Sequence, residues 1–236
     1  SATNDDTPSI TGIARPGSTV TLFVDGVTTG ITTTADGSGL FSITAPSQED
    51  GTHSIYIQTP NQAGVGDPLQ SASISLTIDT SIAKPAITTT TTLTTNATPT
   101  IEGTAEAGST VTLLSGGVAI ATETANGDGQ FSITTSTLAD NTYSLTVRAT
   151  DAAGNESISS SGLDLVIDTT APAQPLITTT TSLTSDSTPT IEGTAEAGST
   201  VELFNGDISL GTTTANDGGQ FSITTSTLAD NTYSLT

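Results

Sequence analysis

Thr98–Val111 reads TPTIEGTAEAGSTV, and Thr188–Val201 repeats it letter for letter. Within and just beyond this stretch, apolar and polar residues alternate. Ile101 and Gly103 stand against Glu102 and Thr104, then Val111 and Leu113 against Thr110 and Thr112. Neighbouring side chains of an extended strand point to opposite faces, so a period of two predicts two half-buried strands, with EAGS as the turn between them.

Working outward, the same grammar continues. Phe131 with Ile133, then Tyr143 with Leu145 and Val147, then Leu163 with Leu165 and Ile167 each occupy one face of a short run. Gly, Asn and Asp clusters (NGDG, LADN, DAAGN) interrupt these runs every ten residues or so. No apolar stripe of helical period is present, and the abundant threonines favour strands. About seven short strands in one unit predict an all-β, immunoglobulin-like antiparallel β-sandwich. Tyr143 and Tyr233 fall where such a sandwich places a tyrosine corner, and His53 takes that place in the first copy as a tolerated substitution.

The unit recurs. Phe41, Phe131 and Phe221 each open FSIT, at spacings 131 − 41 = 90 and 221 − 131 = 90. GQFSITTSTLADNTYSLT runs identically from Gly129 to Thr146 and from Gly219 to Thr236. IDTSIAKPAITTTTTLT from Ile78 aligns with IDTTAPAQPLITTTTSLT from Ile167. A period this long fits one small domain per repeat and not a solenoid turn. The expected division is 1–80 (without its first strand), 81–169 (complete) and 170–236 (without its last strand), a portion of a longer array. Pro172 and Pro175 in the connector favour a stiff extended backbone, so the tandem sandwiches are expected to form an extended rod.

Composition narrows the partners. The 236 residues carry 3 Lys plus Arg against 24 Asp plus Glu, a net charge of −21. Such a surface repels nucleic acid and anionic lipid headgroups. No apolar run is long enough for membrane insertion. Hydrophobic residues make up 33% of the chain, too many for a disordered acidic tail. Without cysteine, and with one histidine outside any nucleophile motif, nucleophilic catalysis has no apparatus. Aromatic residues at 3% leave no sugar platform for a glycosidase cleft, so the chain is expected not to be an enzyme.

The acidic loop residues are the better lead. Successive loops of a sandwich alternate between its two poles. The loops of Glu106, of Asp128 and of Asp151 with Asn155 should therefore face the preceding domain, where Asp79 leaves it. At the next junction Asp140 and Asp168 should meet Glu196 and Asp217. Carboxylates gathered this way repel unless a cation fills the gap. Calcium accepts six to eight oxygens in flexible geometry, whereas the missing Cys and His partners argue against zinc and copper. An interdomain structural Ca2+ is the expectation; solvated turn residues are the plain alternative.

TPTIEGTAEAGSTVTLL, TLADNTYSLTVRATDAAGNES and IDTTAPAQPLI resemble the bacterial Ig-like repeats of very large, type I-secreted surface adhesins of the biofilm-associated and RTX-adhesin kind. The resemblance covers essentially the whole chain. It implies tandem extender domains that hold an adhesive tip away from the cell, outside the cell at the bacterial surface, in support of adhesion and biofilm formation. It also implies calcium at junctions, with the neighbouring repeats of the same chain as the partners. TPNQAGVGDPL in the first copy departs from TDAAGNESI in the second, so the loop chemistry need not transfer. Two alternatives come from other classes: a binding module for a glycan or host protein, and an accessory domain of a secreted polysaccharide-active enzyme.

Overall fold

Alternation of side chains decides which face of each strand is buried. In the computed structural model, which describes residues 2–61, 66–180 and 182–236, every regular element among those residues is a strand. The first repeat contributes β1 (Ala2–Thr3), β2 (Ser9–Ile13), β3 (Thr19–Val24), β4 (Val27–Thr34), β5 (Leu40–Thr44), β6 (Gly51–Thr59), β7 (Leu69–Gln70) and β8 (Ile74–Ile78). One sheet has the order β1-β8-β6-β3-β4, with β7 beside β6, and β2 with β5 makes the other.

The second repeat contributes β9 (Ala86–Ile87), β10 (Leu93–Thr94), β11 (Thr100–Thr104), β12 (Thr110–Ser115), β13 (Val118–Thr124), β14 (Gln130–Thr134), β15 (Asn141–Thr150) and β16 (Leu163–Ile167). Its sheets run β10-β16-β15-β12-β13 and β14-β11-β9. The pairs β1–β8 and β10–β16 are parallel; the other paired strands are antiparallel. The third repeat has β17 (Leu176–Ile177), β18 (Thr190–Thr194), β19 (Thr200–Asn205), β20 (Ile208–Thr214) and β21 (Gln220–Thr224). Its sheets are β17-β18-β21 and β19-β20, and Thr236 exchanges two main-chain hydrogen bonds with Phe204. Ser1–Thr169 and Thr170–Thr236 are two compact units.

Each repeat has its own core. In the second, Ile101, Val111, Leu113, Leu145, Val147, Leu165 and Ile167 are buried between the sheets, with the Phe131 ring among them. Burying a side chain of this size contributes roughly 1.5–3 kcal/mol. A one-residue slip of β12 would turn Val111 and Leu113 out to water and Thr112 in, so the register is strongly specified.

The glycine of TIEG is required by packing. A Cβ on Gly103 would collide with the Phe131 ring and with the Ala86 carbonyl of β9, and Gly193 stands in the same relation to Phe221 and Leu176. Without a side chain there, the tip of the ring reaches the β11 backbone and a neighbouring strand can close in.

The corner is built in two chemistries. The Tyr143 hydroxyl donates to the Ala139 carbonyl and the Tyr233 hydroxyl to that of Ala229, each at 3.0 Å. In the first repeat His53 Nε2 donates to the carbonyl of Glu49, again four residues back, at 2.9 Å. Its Nδ1 lies 2.7 Å from Asp25 Oδ2, while Asp25 Oδ1 accepts the Ser54 N–H. Both ring nitrogens face oxygens that only accept, so the imidazole needs both protons. Hydrogen bonding to Glu49 and Asp25 raises the His53 pKa, and the Ser54 N–H with His53 lowers that of Asp25. Histidine thus does the corner's work and adds an ion pair that the tyrosines do not have.

Candidate metal centre

The second repeat's β15 runs past the end of β16, and its far edge is closed by serine hydroxyls. Val147 N–H donates to Ser160 Oγ and Ala149 N–H to Ser157 Oγ, which leaves Asp151–Asn155 as a tight turn closed by the Thr150–Glu156 bridge. Asp151 Oδ1 caps that turn by accepting the N–H groups of Ala153, Gly154 and Asn155 at 2.7–2.9 Å. Burial pushes the Asp151 carboxyl up. Hydrogen bonds from the Asn155 side chain and from the turn's N–H groups outweigh it and hold the pKa below its ordinary value.

Asn155 is buried and looks both ways. Its Nδ2 donates to Asp151 Oδ2 and to the main-chain carbonyl of Asp79, each at 2.7 Å. Asp79 follows β8 directly, and its own N–H donates to the Thr3 carbonyl. Glu106 enters from the β11–β12 turn, whose carbonyl at Glu106 accepts both the N–H and the hydroxyl of Ser109. Carboxylate oxygens of Asp79, Glu106 and Asp151 lie within 4.8 Å of one another, and all three residues are half-buried. Among the described residues, none of the three forms an ion pair with lysine or arginine.

Like charges ~4 Å apart repel by about 1 kcal/mol in bulk water and about 4 kcal/mol in the dielectric of a protein surface. The cluster therefore favours a cation. Two oxygens bound to one calcium at about 2.3–2.6 Å stand up to about 5 Å apart, and the three carboxylates meet that condition with oxygen donors alone. The residues fit calcium.

The other expected ligands are placed differently. Asp128 is exposed in the β13–β14 turn, its N–H donating to Asn126 Oδ1, and it does not join the three carboxylates. Asn155 presents its amide nitrogen to two acceptors, so at these contacts it positions Asp79 and Asp151. Asp140 Oδ1 accepts both the N–H and the hydroxyl of Thr169, as Asp50 does with Thr80 one repeat earlier. Asp168 N–H donates to the Thr94 carbonyl, the counterpart of the Asp79–Thr3 bond. In the other unit the Glu196 carbonyl accepts from Ser199, and both Glu196 and Asp217 are exposed. The divergent TPNQAGVGDPL loop lies in part outside the described residues, at 62–65.

The bacterial Ig-like domain family matches residues 1–80, 85–169 and 177–236. The chain belongs to that family. Comparison with curated proteins gave no match. Among solved structures, a marsupial T cell receptor shares the fold at a TM-score of 0.51 and 10% identity, over 98% of this chain and 91% of that one. A biofilm associated protein BSP domain matches at 21% identity and TM-score 0.32 over 72% of this chain, which spans 29% of that one. The D0-D1 domain of intimin matches at 17% identity and TM-score 0.26, over 70% and 93% of the two chains.

The tandem bacterial Ig-like repeats differ at one turn beside the junction residues. Arg15 occupies in the first repeat the turn position held by Glu106 and Glu196, with Ser18 donating to its carbonyl in the same way. The signal was available in ARPGST against AEAGST. Ser157 and Ser160 carried none, because serines in a loop have many uses besides closing a strand edge.

Proposed function

We propose that this chain is a structural extender segment of an extracellular bacterial surface adhesin, spacing an adhesive tip from the cell in support of adhesion and biofilm formation. In this reading it has no catalytic role, and calcium stiffens the junction between the first and second repeats. The observation that carries the proposal is the meeting of Asp79, Glu106 and Asp151, which arrive from a strand end and two turns in two different repeats. A bound calcium ion would neutralise these carboxylates and make each of them a tether between the repeats. Asn155 preorganises the site by fixing the Asp79 main chain and the Asp151 carboxylate before any ion enters. The near-identity of the second and third repeats supports a passive spacer, because reach grows with copies whereas a recognition site does not.

Small-angle scattering of the chain in calcium and in chelator tests this reading. The maximum dimension should be longer and better defined with calcium; identical profiles would contradict the stiffening.

A second reading, an Ig-like module binding a glycan, has one observation in its favour. Phe23 and Tyr56 stack with ring centroids 5.0 Å apart and planes 9° from parallel. The corresponding residues are Leu114 with Thr146 and Phe204 with Thr236, so the aromatic pair is particular to the first repeat. A glycan-array hit lost in Phe23→Ala would put this reading first.

A further inference from the structure

The turn that leads into FSIT is built alike in the three repeats, and its first residue is Asp36, Asn126 or Asn216. A side-chain oxygen of each accepts two main-chain N–H groups. Asp36 Oδ1 accepts those of Ser38 and Leu40 at 2.8 and 2.9 Å, and Asn126 Oδ1 those of Asp128 and Gln130 at 3.0 and 2.9 Å. Asn216 Oδ1 accepts those of Gly218 and Gln220, again at 3.0 and 2.9 Å. The residue that follows differs: Gly37, Gly127 and Asp217. Of the three, the second repeat's turn therefore carries an Asn-Gly pair.

In such a pair the glycine nitrogen can attack the asparagine side-chain carbonyl carbon, because no Cβ shields it. Negative charge then gathers on Oδ1. At Asn126 that oxygen is already held by two N–H donors, the arrangement of an oxyanion hole. Asn126 and Gly127 are exposed, and among the described residues neither the leaving nitrogen Nδ2 nor the Gly127 N–H is tied up in a hydrogen bond. Asn205–Gly206 has the same sequence in another setting. Asn205 is half-buried, its main chain paired with Ile208 and bridged to Leu235, and its Oδ1 accepts one N–H, from Ser234, at 3.2 Å.

We infer that Asn126 is a site of spontaneous modification, at which the turn itself promotes conversion of the amide to a carboxylate. The Gly127 nitrogen gives up its proton and bonds to Asn126 Cγ; the Cγ–Nδ2 bond breaks, and Nδ2 leaves as ammonia. Water then opens the resulting succinimide, at Cγ to give aspartate or at the main-chain carbonyl to give isoaspartate. One water is consumed and one ammonia released, without enzyme or oxidant. Asp36 shows that the turn accepts the aspartate: the same two N–H groups, with the Ser38 hydroxyl, hold its pKa below the ordinary value. The new charge lies on a turn that meets the β11–β12 turn through the Ala105 N–H and the Gly129 carbonyl at 2.9 Å.

The test incubates the full chain in mildly alkaline buffer and follows each asparagine by peptide-resolved mass spectrometry. In the folded chain Asn126 should lose ammonia at least ~tenfold faster than Asn205, whereas in urea the two Asn-Gly pairs should draw level. Gly127→Ala should slow the reaction at Asn126 at least ~tenfold. That variant keeps the turn, since a Cβ on Gly127 meets no atom within 4 Å. Equal folded-state rates at Asn126 and Asn205, an intact Asn126 in the folded chain after the unfolded chain has reacted, or an undiminished rate in Gly127→Ala would each overturn the inference.

Discussion

The side-chain nitrogen of Asn155 donates to the main-chain carbonyl of Asp79 at 2.7 Å, across 76 positions of sequence. One hydrogen bond thereby connects the turn that caps β15 to the end of β8 in the preceding repeat. Because the donor is buried, its loss is not made good by water without cost.

Replacing Asn155 with Ala removes the donor and leaves the Asp79 carbonyl and Asp151 Oδ2 without it. The expected cost is about 1–3 kcal/mol, read by calorimetry as a lower melting temperature of the unit Ser1–Thr169. An unchanged melting temperature would show that the bond is dispensable.

Thr135 and Thr225 bury their hydroxyl oxygens without a hydrogen-bond partner, and the first repeat has Ala45 at this place. An unsatisfied buried hydroxyl costs about 1–3 kcal/mol, and an apolar residue of the same shape avoids that cost. Thr135→Val should therefore stabilise the chain by about 1 kcal/mol in denaturant unfolding. Destabilisation would mean that the hydroxyl has a partner in solution.

Gly103→Ala forces a methyl against both the Phe131 ring and the main-chain carbonyl of Ala86. Overpacking of this kind costs about 1–3 kcal/mol or more, because a backbone cannot swing aside as a side chain can. Gly12→Ala meets only the Phe41 ring and should cost less. Equal unfolding midpoints for the two variants would contradict the role given to β9.

The corner of the first repeat should respond to pH on both sides. His53 is raised from 6.5, so its contribution is complete below 6.5 and lost as pH rises through the higher folded value. Asp25 is lowered from 3.8, so its contribution is present above 3.8 and lost as pH falls through the lower folded value. The pair is therefore strongest between about 3.8 and 6.5. An NMR titration of the His53 ring should give a midpoint above 6.5 that drops in Asp25→Asn. His53→Tyr should remove the loss at high pH by restoring the hydroxyl corner of Tyr143. A His53 midpoint unmoved by Asp25→Asn would count against the ion pair.

The fold was legible because alternation is local: Ile101, Val111, Leu113 and Leu165 announce their inward faces from their immediate neighbours. The meeting of Asp79, Glu106 and Asp151 followed from loop alternation between poles, a property of topology. That same rule put Asp128 at the same pole, where its turn does meet the β11–β12 turn through the Ala105 N–H and the Gly129 carbonyl, yet the Asp128 side chain is exposed and outside the three-carboxylate group. Nor could it show that Asn155 turns its nitrogen toward two acceptors, since that depends on atoms 76 residues away. The His53–Asp25 pair was hidden for a similar reason, because Asp25 comes from the β3–β4 turn and reaches the corner only after folding.

Calcium titration of the isotopically labelled chain, followed by NMR at individual residues, tests the central claim most directly. The account predicts one saturable transition shared by the Asp79, Glu106 and Asp151 resonances, at about 0.1–1 mM or below, and its loss in Asp151→Asn. Resonances of those three residues that stay in place at about 10 mM calcium, well above the usual range for extracellular modules, would contradict it.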